Sequence, residues 1–404
     1  MRYIDTATIS AVNEIKRNIR KIMRLRTLRT AAGASVLALL ISGCGFTGDD
    51  TEPVDLSEQQ PLVPEFFDGE EVSAPDLTVI ADSSDGIDTP NDLEFHPAED
   101  RQHELWVLNE EYSSFSPGGT TVTLFDAGGD DQEAETIKDG NAAHFMAKPT
   151  SLAFAGADTG KWATGVGVQD ANHGDGTFAG PSLWSSDFEI YGNVGDPPTQ
   201  DINGSHLDML HGSPFSMGIA HEEGNAYWVY DGYHGYMVRY DFYEPHPPGG
   251  SDHSDGRIYR HKDVEIERHD ELPSHMIVDH DTGWLYINDT GNQRVLRLDI
   301  DSGDPLNTLG DWNEPLTEHM EMTGTKYEVF ADGDLDDPTG IALNDGRLFV
   351  SNHGTSEVIA FDTDSGDELA RIDVDDGVRG MTIGPDENLW LASYDSDEIL
   401  RVDP

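Results

Sequence analysis

The sequence predicts an all-β chain folded as a six-bladed β-propeller, its last blade closed by an N-terminal strand. Three observations carry that reading. A strand–turn–strand unit recurs from Pro90 to the end of the chain. Turn residues stand at the junctions of the unit. The 404 residues include 42 Gly and 21 Pro, which suits many turns, and one Cys, which excludes a disulfide framework and a thiolate zinc cluster.

The clearest copy spans residues 273–299, with turns at Asp281-Thr282-Gly283 and Asp289-Thr290-Gly291-Asn292. The next opens at Pro338, turns at Asn344-Asp345-Gly346 and again at Asp364-Ser365-Gly366, and adds a fourth strand over residues 368–374. In that strand Leu369, Arg371 and Asp373 point one way and Ala370, Ile372 and Val374 the other. Copies open at Pro90, Pro149, Pro214, Pro273, Pro338 and Val378, at spacings of 59, 65, 59, 65 and 40 residues. The shortest spacing fits a bare four-stranded blade, and the others imply insertions of about 20 residues. The last copy supplies three strands before Pro404, and residues 76–81 supply the missing one. Such a latch closes the ring and removes exposed strand edges.

The chain is acidic, with 24 Lys+Arg against 78 Asp+Glu and a formal net charge of -54. That balance excludes nucleic-acid backbone binding as a main role and argues against docking on anionic lipid head groups. It suits a protein working in concentrated salt, as in a halophilic or marine setting, where the charges are screened. Only the N-terminus is basic: residues 1–43 hold eight of the Lys and Arg residues and two acids. An apolar run from Ala31 to Ile41 follows, too short to span a bilayer and of the length of a signal-peptide core. It ends at Leu40-Ile41-Ser42-Gly43-Cys44, with Cys44 the sole cysteine. This segment resembles a bacterial lipobox. The resemblance implies cleavage before Cys44, lipidation of Cys44 and attachment to the cell-envelope membrane through that lipid. Gly45 stands where inner-membrane lipoproteins carry Asp, which points to the outer membrane. Met23 would give a more usual leader length than Met1. The predicted organisation is a leader over residues 1–43, a flexible acidic tether over 44–72 and the propeller over 73–404.

Pro273, Gly283, Leu285-Tyr286-Ile287, Asp289-Thr290-Gly291-Asn292 and Arg294-Val295 make the repeat similar to the NHL-repeat propellers. The resemblance implies fold. It leaves function open, because that architecture hosts lyases, lactonases and binding modules.

In a meander-built ring, the loops entering the inner strands and those joining second to third strands share one face, here called the mouth. Polar residues fall there: Asn91, His211, His275 and Asp337 at strand entries, and Glu110, Glu111, His173, Asp231, His234, Asp289 and His353 at second-to-third turns. The candidate metal or ligand set is His211, His234, His275, His353, His173, Asp231 and Asp289. Imidazoles converging with carboxylates suit a divalent transition metal at the channel mouth. The competing reading makes the Asp residues turn-formers that hold their own backbone. In the NHL-type amidating lyases a metal-binding histidine follows the proline that opens the inner strand. Only Pro273-Ser274-His275 comes close to that pattern, so the activity is not implied here. Asp252 and Asp255, in the loop after Pro245 and on the opposite face, are a weaker candidate for calcium. No nucleophile elbow, phosphate loop or nucleotide-cofactor fingerprint occurs. Two functions fit: an envelope-anchored propeller that binds a ligand or protein partner at its mouth, or a metal-dependent lyase or hydrolase with a His-based site at the axis.

Overall fold

The computed structural model describes residues 62–67, 75–110, 117–171, 176–195, 202–310, 315–374 and 377–403. All belong to one compact unit, Ser57–Pro404. Cys44, the leader, Glu111 and His173 lie outside the described residues. The structure is a six-bladed β-propeller of six small sheets, with one short α-helix, α1 (Ala142–Phe145), among the described residues.

Blade 1 is β2 (Pro90–Phe95), β3 (Leu105–Asn109), β4 (Thr120–Phe125) and β5 (Glu133–Ile137). Blade 2 is β6 (Pro149–Phe154), β7 (Lys161–Val166), β8 (Ser182–Ser185) and the two-residue β9 (Asp208–Met209). Blade 3 is β10 (Ser216–Glu223), β11 (Ala226–Asp231), β12 (Tyr236–Asp241) and β13 (Arg257–His261). Blade 4 is β14 (Met276–Asp279), β15 (Trp284–Asp289), β16 (Arg294–Asp299) and β19 (Tyr327–Ala331). Blade 5 is β20 (Pro338–Asn344), β21 (Arg347–Asn352), β22 (Glu357–Asp362) and β23 (Glu368–Asp373). Blade 6 is β24 (Val378–Ile383), β25 (Leu389–Ser393) and β26 (Glu398–Asp403), completed by β1 (Asp76–Ala81). The latch runs antiparallel, from Asp76 opposite Asp403 to Ala81 opposite Ile399. The N-terminal strand therefore closes the ring at the residues the sequence nominates.

Two features depart from the sequence reading. The insertion of blade 4, to which the sequence reading assigns no structure, is a hairpin of β17 (Asp304–Thr308) and β18 (Glu318–Thr323), and β18 adds in parallel to β13 at the edge of blade 3. An edge that would stand open is thus covered by the neighbouring repeat. Residues 62–67, assigned to a tether, are packed on the propeller. Val63 and Phe66 are buried in one apolar cluster with Ala342, Phe349, Leu391 and Leu400, between blades 5 and 6. Phe66 meets Phe349 edge-to-face at 5.3 Å. Glu65 receives Asn344 Nδ2 at 2.7 Å and pairs with Arg347. Asn344 and Arg347 flank the β20–β21 turn, so this clip sits on the face opposite the mouth.

The core lies between blades. Trp106, Phe154, Trp162, Trp184 and Tyr191 fill the space between blades 1 and 2, with Phe145 of α1. Tyr227, Tyr230 and Tyr240 are buried, which assigns these strand aromatics to packing, whereas Tyr233 is exposed. Near the mouth the inner strands are joined by a continuous belt of hydrogen bonds. Asn91 Nδ2 donates to Pro149 O (2.8 Å), Thr150 Oγ1 to Ser216 O (2.5 Å) and Ser274 N to Met217 O (2.8 Å). His275 N donates to Thr339 O (3.0 Å), Thr339 Oγ1 to Val378 O (3.2 Å) and Arg379 Nη1 to Asn91 Oδ1 (3.0 Å). Each contact spans one of the six blade interfaces and contributes about 1 kcal/mol net, so the belt chiefly fixes register. Close approach needs glycine: a Cβ on Gly218 would lie 2.0 Å from Ser274 O, and one on Gly340 2.5 Å from Arg379 O.

Candidate functional site

The belt places a polar group at the mouth. Asn91 and Arg379 stand at the openings of β2 and β24, Glu110 follows β3, Lys148 precedes β6 and Tyr394 follows β25. Glu110 Oε2 accepts from Asn91 Nδ2 at 3.2 Å and lies 3.5 Å from Arg379 Nη1. Its Oε1 lies 3.1 Å from Lys148 Nζ. The Arg379 guanidinium stacks on the Tyr394 ring and is 8% exposed. Burial pulls the Arg379 pKa below its ordinary value and pushes that of Tyr394 up. Arg379 Nε is buried with no hydrogen-bond partner among the described residues.

Below this group, His275 of blade 4 meets Asp92 of blade 1, Nδ1 to Oδ2 at 3.4 Å. In a ring of six, blades 1 and 4 are opposite, so this contact crosses the axis and both residues are buried there. Asp92 Oδ2 also accepts from Leu152 N at 2.8 Å, which fixes the carboxylate. His275 Nε2 is buried and has no hydrogen-bond partner among the described residues. The mouth thus has a polar floor at the level where the Asp92–His275 contact crosses the axis.

The other nominated histidines occupy separate sites. His211 lies between β9 and β10, buried and stacked on Phe178 at 3.6 Å. His234 Nδ1 is 2.8 Å from Asp231 Oδ2. His353 Nδ1 is 3.4 Å from Val378 O. Asp231 also accepts from the backbone N–H groups of Tyr233 and His234. Asp289 accepts from Glu267 N, Asn292 Nδ2 and Arg294 Nε. Both Asp residues perform the turn-holding role that competed with metal ligation in the sequence.

One group among the described residues brings three metal-ligating side chains together, and it lies on the other face. It comprises Asp208, His246 and Asp255, whose ligand atoms all lie within 4.8 Å of one another. Asp208 opens β9 of blade 2; His246 and Asp255 belong to the loop between β12 and β13 of blade 3. His246 Nε2 is 2.9 Å from Asp255 Oδ1 and 3.5 Å from Asp208 Oδ2. His253 Nδ1 donates to Asp208 Oδ1 at 2.6 Å. Burial pushes the Asp208 carboxyl up to about 6, with His253 pulling the other way. Of the calcium candidates, Asp255 belongs to this group. Asp252 does not: it is exposed and accepts from Ser254 Oγ at 2.7 Å.

Asp92, Arg379 and Asp208 were not singled out from the sequence, whereas His246 and His253 lie within the loop after Pro245 that the sequence offers as a weaker calcium candidate. Arg379 had a legible signal, as a base at a unit opening in a chain with few bases. Asp208 had none, because its meeting with the loop after Pro245 depends on how a blade 2 strand and a blade 3 loop pack.

No protein-family model matches the sequence. No curated protein matches it. Among solved structures, the chain is similar to an auxiliary nutrient binding protein from Bacteroides thetaiotaomicron, with 10% identity over 77% of this chain and 68% of that one, at a TM-score of 0.49. It is similar to the calcium-binding protein regucalcin from Agrobacterium tumefaciens, with 14% identity, coverage of 78% and 89%, and a TM-score of 0.46. It is also similar to virginiamycin B lyase from Staphylococcus aureus, with 11% identity, coverage of 81% and 98%, and a TM-score of 0.46. At these identities the function of none of these proteins transfers to the chain.

Proposed function

We propose that the protein is an NHL-type binding propeller, lipid-anchored through Cys44 in the cell envelope at the outer membrane, that takes a small neutral polar ligand at its mouth without chemical turnover. The observation that carries this is the incompletely satisfied polar floor at the axis. His275 Nε2 and Arg379 Nε are buried without hydrogen-bond partners among the described residues, inside a belt whose other members are bonded. A buried polar atom left unpaired costs about 1–3 kcal/mol, and a ligand that completes its bonding recovers that cost. The surroundings mix donors (Asn91, Arg379, Lys148) with acceptors (Asp92, Glu110), with the Asp395 charge also acting on Arg379, so hydrogen bonds of both directions are on offer. Groups that both donate and accept, as the hydroxyls of a sugar or polyol do, match such a set. The metal-dependent lyase or hydrolase reading has less support, because His211, His234, His275 and His353 do not form a group within 4.8 Å among the described residues. Anchoring would also suit this arrangement. Residues 62–67 meet the propeller on the face opposite the mouth.

The test is a thermal-shift and calorimetric screen of the full chain against mono- and disaccharides, polyols, carboxylates and short peptides. A hydroxyl-rich compound should raise the Tm of the wild type by several degrees and lose its effect in His275→Gln and Glu110→Gln. A screen in which carboxylates or peptides bind and sugars and polyols do not would overturn the ligand class. Turnover of any bound compound would overturn the non-catalytic assignment.

A further inference from the structure

We infer that Asp208 Oδ2, His246 Nε2 and Asp255 Oδ1 form a binding site for one zinc-class divalent cation, which staples the β12–β13 loop of blade 3 to the outer strand of blade 2. The site is independent of the mouth, since it lies on the opposite face and shares no residue with it.

The donor set fits this class of metal. The imidazole nitrogen is a donor that zinc and its first-row neighbours take, and zinc accepts carboxylate oxygens beside it, whereas calcium takes oxygen donors throughout. Spacing fits as well. With metal–ligand bonds of about 2.0–2.1 Å, donors at the corners of a tetrahedron are about 3.3 Å apart. The separations from His246 Nε2 are 2.9 Å and 3.5 Å, and the two carboxylate oxygens lie within 4.8 Å of each other. Three protein ligands leave a fourth position for water.

A second, separate observation points to a ligand. Asp208 is fully buried, and its Oδ2 has no hydrogen-bond partner among the described residues, its nearest polar neighbour given being His246 Nε2 at 3.5 Å. Oδ1 is occupied by His253 Nδ1, so the carboxylate is oriented and presents its other oxygen to His246. A buried carboxylate with one oxygen unsatisfied is expensive, and a cation offsets that cost directly. A partner that fixes a ligating group from behind is the usual second layer of a metal site. The backbone is also set. His246 N donates to Leu207 O at 2.9 Å and Gly249 N to His206 O at 2.8 Å, which hold the loop beside β9. Glu244 N donates to Asp255 Oδ2 at 3.2 Å, leaving Oδ1 to face the group.

The experiment is a zinc titration of the full chain, stripped with EDTA and monitored by competition with a chromogenic chelator and by thermal shift. Wild type should bind one equivalent of zinc with a rise in Tm. Asp208→Asn and His246→Gln should weaken binding by at least about 100-fold, and His253→Gln by about 10- to 100-fold through lost orientation. Asp255→Asn, at a partly exposed position, tests the site without touching the buried carboxylate and should also lose stoichiometric zinc. His275→Gln at the axis should bind zinc as wild type does. Protection of residues 244–256 from proteolysis by zinc should accompany binding. Absence of stoichiometric zinc would overturn the inference. So would wild-type affinity in Asp255→Asn, loss of zinc in His275→Gln, or calcium binding as tight as zinc at this site.

Discussion

His96 shows how one side chain ties stability to pH. It is 3% exposed, and its two ring nitrogens have defined roles. Ala98 N donates to Nδ1 at 3.2 Å, which requires a bare nitrogen there, so Nε2 carries the proton toward Ser186 Oγ at 3.0 Å. Burial first, and the Arg101 charge second, hold its pKa down at about 4, against the opposing pull of Glu104 and Asp100. The sign follows. Between pH 6.5 and 4 the unfolded chain binds a proton at this position and the folded chain does not. Stability from His96 is therefore complete above pH 6.5 and is lost as pH falls toward 4, by on the order of 2–3 kcal/mol. Urea unfolding of His96→Gln across that range should show a shallower pH slope than wild type. Equal slopes would mean that the histidine is not held neutral. At this scale the sequence was partly legible. Asn91, Glu110 and His275 stand at mouth positions that the repeat marks; the structure joins Asn91 to Glu110 there and sets His275 against Asp92 below them. It was silent on Asp92, because nothing in a linear chain says that residues 183 positions apart will meet across an axis.

At the scale of the element, the strands were readable because the repeat sets their register, and the insertions were not because they have no repeat. The β17–β18 hairpin belongs to blade 4 by sequence and to blade 3 by hydrogen bonding. Pairing across a blade boundary is a property of the assembled ring. The clip at residues 62–67 was misread for a related reason. Acid, Pro and Gln in its surroundings suggest a solvated tether, and the two apolar residues that matter, Val63 and Phe66, gain meaning only from the groove that receives them. Phe66→Ala should cost about 3 kcal/mol of docking free energy. Hydrogen exchange should then accelerate over residues 62–67 and the β20–β21 turn, with a smaller change in the main unfolding transition. Unchanged exchange in that turn would show that the clip does not hold it.

At the scale of the molecule, charge and topology act together. A net charge of -54 on 404 residues repels itself, and the repulsion is long-ranged where salt is scarce. The screening length falls from about 30 Å at 0.01 M to about 3 Å at 1 M ionic strength. Thermal unfolding should therefore shift upward by several degrees over that range, equally in sodium and potassium chloride; a flat response would show that the acids are dispersed enough not to matter. The ring itself depends on one junction, since β1 is the strand that completes blade 6. The clip stands just upstream of that junction. A pull on the chain ahead of residue 62 meets Phe66 and the Glu65–Arg347 pair before any tension reaches β1. The clip is thus strain relief, as on a cable at its socket: it yields first, and the strand that closes the ring is loaded only after it has let go.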